Sequence, residues 1–143
     1  MNSRALIAGL VLCLLLPLAG RSQDDGVKAS ADVNMRQDQE IWAGQQVTIN
    51  LDIKTTGFSF SDTHFNLPEV EGGFLMQTDS TTIKLSENKG GESWQVLRYP
   101  FSLFPQKSGE LTIPPISVRF STSAGFGSEK KNFEFETEAL TLS

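Results

Sequence analysis

The chain has a single histidine, His64, with Asp62 two residues before it. An imidazole held by a carboxylate can activate a serine, so a Ser–His–Asp relay is the sharpest chemistry these residue types allow. The pattern lacks its nucleophile. No Gly-x-Ser-x-Gly elbow, the turn that would present a serine to the imidazole, occurs in the sequence. His64 therefore reads as a loop residue. Metal chemistry is as thin. One His and one Cys, Cys13, cannot make a zinc site, which takes three or four such ligands. Calcium needs clustered oxygens. Asp24-Asp25 reads as a frayed terminus, and Glu134, Glu136 and Glu138 alternate along one expected strand. That row reads as the solvated side of an edge strand, where charge prevents wrong pairing. The 17 acids always offer some glycosidase-like carboxylate pair, but the spacing singles none out. The expectation is a protein without catalysis, metal or cofactor.

Aromatic residues are the other candidates for function. Most of the ten Phe, two Trp and one Tyr fall on inward positions of strand patterns, where they build a core. Three fall in expected loops: Trp42, Phe65 and Phe126. A loop aromatic either caps the end of a fold or anchors a partner. Phe126 stands at a Gly-Phe-Gly tip, and Trp42 is flanked by small or polar residues. Together with the acidic row, this makes Phe126, Trp42, Glu134 and Glu136 the candidate partner-binding residues.

The elements that must position them show a period of two. Val27, Ala29, Ala31, Val33 and Met35 alternate with polar residues, as do Val47, Ile49, Leu51 and Ile53. Each run is a half-buried strand by that alternation. Phe58 and Phe60 form a short run, and Asp62–Gly73 reads as an irregular connection with one extended piece at Phe65-Asn66-Leu67. The Thr- and Ser-rich stretch from Phe74 to Leu85 favours strand. Glu87–Gly91 is a hairpin loop by its Asn and Gly content. In Ser93–Phe104, Trp94 and Val96 face one side and Leu97, Tyr99, Phe101 and Leu103 the other. Pro100 has no N–H for a ladder, which places an edge or a bulge there. The inward phase of Leu111 and Ile113 shifts across Pro114-Pro115 to Ile116, Val118 and Phe120, and shifts again near Glu138-Ala139 in the last strand. The expected core holds Val47, Ile49, Leu51, Leu97, Tyr99, Phe101, Leu111, Ile113 and Val118. No stretch keeps a helical period. Seven to eight short strands with polar turns spell an all-β antiparallel sandwich.

Residues 1–22 read as a signal peptide: Arg4, an apolar run from Ala5 to Leu16, then Pro17-Leu18-Ala19-Gly20 and a polar stretch. The run is shorter than the roughly 20 residues a membrane span takes. Leu12 is too large for the residue before a lipidated cysteine, so Cys13 is not a lipoprotein anchor. Residues 23–143 then form one domain without cysteine or membrane span, exported to the periplasm, either whole or the first piece of a longer protein. Arg4 and Arg21 leave with the leader, so ten basic residues face 17 acids, a net charge of about −7. That balance argues against nucleic acid and against anionic membrane surfaces.

The stretch Leu103–Pro115, LFPQKSGELTIPP, resembles the BatD or oxygen-tolerance family, in which a strand ends in a Pro-Gln-Lys-x-Gly turn and continues into Ile-Pro-Pro. Val27–Met35 with Glu40–Thr48 is similar to the family's first two strands. Phe65-Asn66-Leu67-Pro68 with Gly73-Phe74 is similar to its Leu-Pro segment. The resemblance implies an immunoglobulin-like periplasmic domain. It also implies protein contacts in envelope stress or aerotolerance, with MoxR-type ATPases and membrane proteins bearing von Willebrand A domains as partners. It carries no catalytic motif. Family members usually have several such domains and a C-terminal membrane helix, which this sequence lacks.

The first reading is thus a non-enzymatic interaction module. The alternative is a carbohydrate-binding or adhesin-type sandwich that uses Trp42, Phe126 and the acidic strand. Glycan binding would require exposed aromatics in a flat row. A protein module would require an open strand edge or an apolar loop cluster.

Overall fold

The computed structural model describes residues 26–35, 40–77 and 81–143. The expected leader with Cys13 and its cleavage site lies outside these residues. Ten strands follow one another: β1 (Ala29–Met35), β2 (Val47–Thr55), β3 (Ser59–Phe65), β4 (Gly73–Gln77), β5 (Ile83–Lys89), β6 (Glu92–Pro105), β7 (Leu111–Ile113), β8 (Ser117–Ser123), β9 (Lys130–Glu136) and β10 (Leu140–Leu142). The described residues contain no helix.

One sheet has the order β1-β2-β6, with β4 and β5 end to end along the far side of the long β6. A second has the order β3-β8-β9, and β7 pairs with β10 beyond it. All pairings are antiparallel. Six of the ten strands are interrupted halves of three longer ones. β4 and β5 both pair with β6, β7 and β8 are separated by Pro114-Pro115-Ile116, and β9 and β10 by Thr137-Glu138-Ala139. Joined across these breaks, the chain gives the seven-strand immunoglobulin arrangement, first-second-fifth-fourth facing third-sixth-seventh.

The breaks have visible causes. Tandem proline stops the ladder, and Ile116 comes inward in a new phase. The Ile116 N–H donates to the Thr137 hydroxyl (2.9 Å), and the Thr137 N–H returns a bond to the Ile116 carbonyl (3.0 Å). The two interruptions therefore satisfy each other. Pro100 corrects the expectation of an edge or a bulge, since it lies inside β6 opposite Asn50 of β2. The flanking strands explain why it is tolerated. β4 stops opposite Phe101 and β5 starts opposite Arg98, so Pro100 meets the gap between them. The β5–β6 hairpin closes at Gly90-Gly91, both at positive φ, as a tight two-residue turn requires.

The core lies between the sheets. Leu51, Ile53, Leu97 and Phe101 of the first sheet pack with Val118 and Phe120 of the second and with Ile116 just before β8. Val47, Ile49, Leu103, Leu111, Ile113 and Leu142 close the end nearest β7 and β10. Of the nine expected core residues all are buried except Tyr99, which is half-buried. Phe65 corrects a second expectation. It belongs to β3 rather than to a loop, and its ring packs edge-on against Tyr99 (4.8 Å between centroids) and Phe101 (5.7 Å). The irregular connection is therefore shorter than Asp62–Gly73 and starts after Phe65. A register shift between Ser61 and His64, with Asp62 at φ 52°, turns both Phe60 and Phe65 inward.

Candidate functional site

The strand of most interest is β4, Gly-Phe-Leu-Met-Gln. It pairs with β6 on one side, and no described strand pairs with its other side. The phase of its ladder is fixed at its start, where the Gln106 N–H donates to the Gly72 carbonyl (2.8 Å). Phe74, opposite Phe104, and Met76, opposite Ser102, share that bonded phase. Gly73, Leu75 and Gln77 alternate with them, so their backbone groups address the open side. The side chains alternate too. Leu75 packs on both core clusters, while Phe74 is 59% and Met76 56% exposed on the outer face.

The other terminal strands carry the devices that keep edges from pairing. β9 has Lys130, Lys131, Glu134 and Glu136. β3 is bent by the shift at Asp62. β5 has Lys84, Glu87 and Lys89. β1 carries Asp32 and runs close to β9. Among the described terminal strands of five residues or more, β4 alone has neither a charge nor a bulge; the three-residue β7 and β10 are also uncharged.

The candidate residues from the sequence separate in space. Trp42, 59% exposed, lies on the loop between β1 and β2. That loop is tied to the end of β6: the Gly44 N–H donates to the Pro105 carbonyl (2.8 Å) and the Ala43 N–H to the Ser108 hydroxyl (3.4 Å). Pro105 is the register partner of Gly73. Trp42 thus shares one end of the sandwich with Phe74. Phe126, 95% exposed, tips the β8–β9 hairpin at the opposite end. Phe58 is exposed at that same end, and its N–H donates to the Ser123 carbonyl (2.7 Å). Glu134 and Glu136 are exposed on β9, opposite Arg119 and Ser117.

His64 and Arg119 are register partners beside Glu134, in a shallow groove that Asp62, Ser121 and Asn132 also line. The groove has no relay in it. Asp62 faces Lys130 (3.5 Å), and the Ser121 hydroxyl donates to Asn132 (2.7 Å). Among the described residues no three His, Cys, Asp or Glu side chains are grouped as a metal site would need.

Sequence reasoning missed a polar ladder on the outer face of the first sheet. Asp52, 1% exposed, accepts two bonds from the Arg98 guanidinium, both 2.7 Å. Asn34 donates to Asp52 (3.1 Å) and to Asp32 (3.0 Å), and Lys54 lies 3.5 Å from both Asp32 and Glu87. Burial alone would lower the Lys54 pKa, but the carboxylates of Asp32, Glu87 and Asp52 outweigh it and hold the ammonium above its ordinary value. Tyr99 on β6 also sits above its ordinary value, because burial opposes its ionisation more than a bond to Thr63 favours it. The ladder crosses β1, β2, β6 and β5, so only the register reveals it.

Searches of the curated proteins and of the solved structures give no match to this chain. The family model described as the BatD DUF11 like domain matches residues 35–142, from the end of β1 into β10. That span is well over half of the chain and takes in both sheets. The chain belongs to the BatD family.

Proposed function

We propose that the domain is a non-enzymatic protein-interaction module of the bacterial envelope, exported by residues 1–22 and docking a protein partner along β4 and the Trp42 end of the sandwich. The observation that carries this reading is the open β4 edge: free of charge, with Phe74 and Met76 exposed on it and Trp42 on the adjoining loop. An extended segment can add to such an edge through backbone bonds, and the exposed apolar side chains give it specificity. Membership of the BatD family points to MoxR-type ATPases and von Willebrand A proteins as the partner class and to envelope stress or aerotolerance as the setting. The glycan-binding alternative has less support. Its two aromatics, Trp42 and Phe126, stand at opposite ends rather than in one flat row.

Calorimetric titration with a soluble von Willebrand A domain from the same cell tests the reading. Phe74→Ala and Met76→Lys should each weaken binding by more than about 1 kcal/mol with little change in thermal midpoint. Undiminished binding in both variants, or turnover of a substrate that is lost on mutating His64, would overturn it.

A further inference from the structure

We propose that β4 also pairs with β4 of a second copy of this chain, antiparallel and centred on Leu75. The inference rests on the reading of β4 as a docking edge and adds a second occupant for it. The strand is self-complementary. In an antiparallel pair centred on Leu75, the residues that meet are Leu75 with Leu75, Gly73 with Gln77, and Phe74 with Met76.

The first two pairings join the residues whose backbone groups address the open side. The Gly73 N–H is already given to the Val70 carbonyl (3.3 Å). What remains fits: each Leu75 N–H reaches the other copy's Leu75 carbonyl, and each Gln77 N–H reaches the other copy's Gly73 carbonyl. Phe74 and Met76 then fall in the closer, non-bonded pairs, with Cα atoms about 4.5 Å apart. Each exposed ring meets a thioether on the outer face, and that contact occurs twice.

Charge favours this edge over β9 and β5, and its five residues favour it over the three-residue β7 and β10. Paired with its own copy, β9 or β5 would set lysines and glutamates into the new ladder, whereas β4 brings none. The contact is one five-residue strand from each copy, short of the roughly 20–30 residues a side of a standard interface, so the dimer is weak and concentration-dependent. Two copies of an acidic domain also repel each other. Salt should therefore strengthen the dimer, the reverse of what it would do to a basic partner drawn to Glu69 and Glu71 at the start of the strand.

The test is sedimentation equilibrium of the purified protein over a range of concentrations, joined to cysteine cross-linking in a Cys13→Ser background. Phe74→Cys mixed with Met76→Cys should form a disulfide dimer well above either variant alone, because the close pair lies within disulfide reach. Both sites are exposed, so folding is preserved. Met76→Lys should weaken self-association about tenfold, since a charge would then face Phe74 of the other copy. A protein that stays monomeric at every concentration overturns the proposal, and if partner binding persists, the docking reading survives that result. Self-association that ignores Met76→Lys, or cross-linking equal in mixed and single samples, places any dimer elsewhere and also overturns it. Association that weakens with salt would do the same.

Discussion

Strand β9 carries Lys130, Lys131, Glu134 and Glu136 along the end of its sheet, whereas β4 ends the other sheet without a charge between Gly73 and Gln77. Both strands have the same alternation, with Phe133 and Phe135 or Leu75 turned toward the core. They differ in what stands on the other face. On β9 three of the four outward positions, Lys130, Glu134 and Glu136, are charged, which makes pairing with a further strand costly. On β4 they are Phe74 and Met76, which set no charge against an incoming strand. An edge therefore cannot be recognised as a binding site from its apolar period alone. The outward residues decide whether it invites or repels.

The sheet that carries β4 has its own internal brace, the polar ladder centred on Asp52. If that brace holds β2, β6 and β5 in line, removing it should damage the β4 edge and leave β9 paired. Arg98→Ala leaves the Asp52 carboxylate buried with Asn34 as its remaining donor. We expect a loss of about 3–5 kcal/mol in chemical denaturation, the range for breaking a buried ion pair from one side. Lys54→Ala, whose contacts are longer and more exposed, should cost far less. Equal losses from the two would show that the ladder is surface decoration.

The charges on β9 can be removed in turn. Glu134→Val with Glu136→Val would leave that edge uncharged from Asn132 onward, closer in character to β4. The expected outcome is concentration-dependent aggregation, read by light scattering, with a nearly unchanged thermal midpoint. A double variant that stays monodisperse would mean that the twist of β9, or its closeness to β1, guards the edge instead.

Alkaline pH separates the sheets more gently. Lys54 and Tyr99 both belong to the β4 sheet, and both hold their protons more tightly when folded. The stability they contribute is present below about pH 10, the ordinary range of both groups, and is lost as pH rises through their higher folded values. Unfolding free energy should be flat from neutral pH to about 9 and fall beyond it. Lys54→Met with Tyr99→Phe should flatten that fall. A decline that begins near pH 8 would point to other groups.

Much of this architecture is legible in the sequence, because a period of two survives in every long strand and the phase shifts at Pro114-Pro115 and Glu138-Ala139 mark real breaks. The misses have physical causes. Phe65 was hidden by the register shift at Asp62, which breaks the alternation that would have placed it with Phe60. Pro100 looked like an edge because its tolerance depends on a gap between β4 and β5 that no local pattern shows. Asp52 and Arg98 lie 46 positions apart and meet only through the β2–β6 register. The candidate site was harder still. Being an edge is a property of the whole topology, and Phe74 and Met76 look like ordinary strand residues until the missing neighbour is known.

Phe126 gives the smallest expected effect on stability and the sharpest test of which end of the sandwich matters. It is 95% exposed at the tip of the β8–β9 hairpin, next to Gly127 at φ 78°, and belongs to neither core cluster. Phe126→Ala should therefore leave the thermal midpoint unchanged within a degree or so, and a fall of several degrees would mean that the ring caps the sandwich. Its effect on binding then discriminates between the ends. If the partner sits on β4 and the Trp42 loop alone, affinity for the von Willebrand A domain should not move. A loss above about 1 kcal/mol would make Phe126 a second anchor. It would also demand a partner long enough to span the sandwich, since Trp42 and Phe126 stand at opposite ends of it. Combining Phe126→Ala with Met76→Lys separates these cases. Additive losses mean two independent contacts on one long partner, whereas no further loss beyond Met76→Lys confines docking to the uncharged edge.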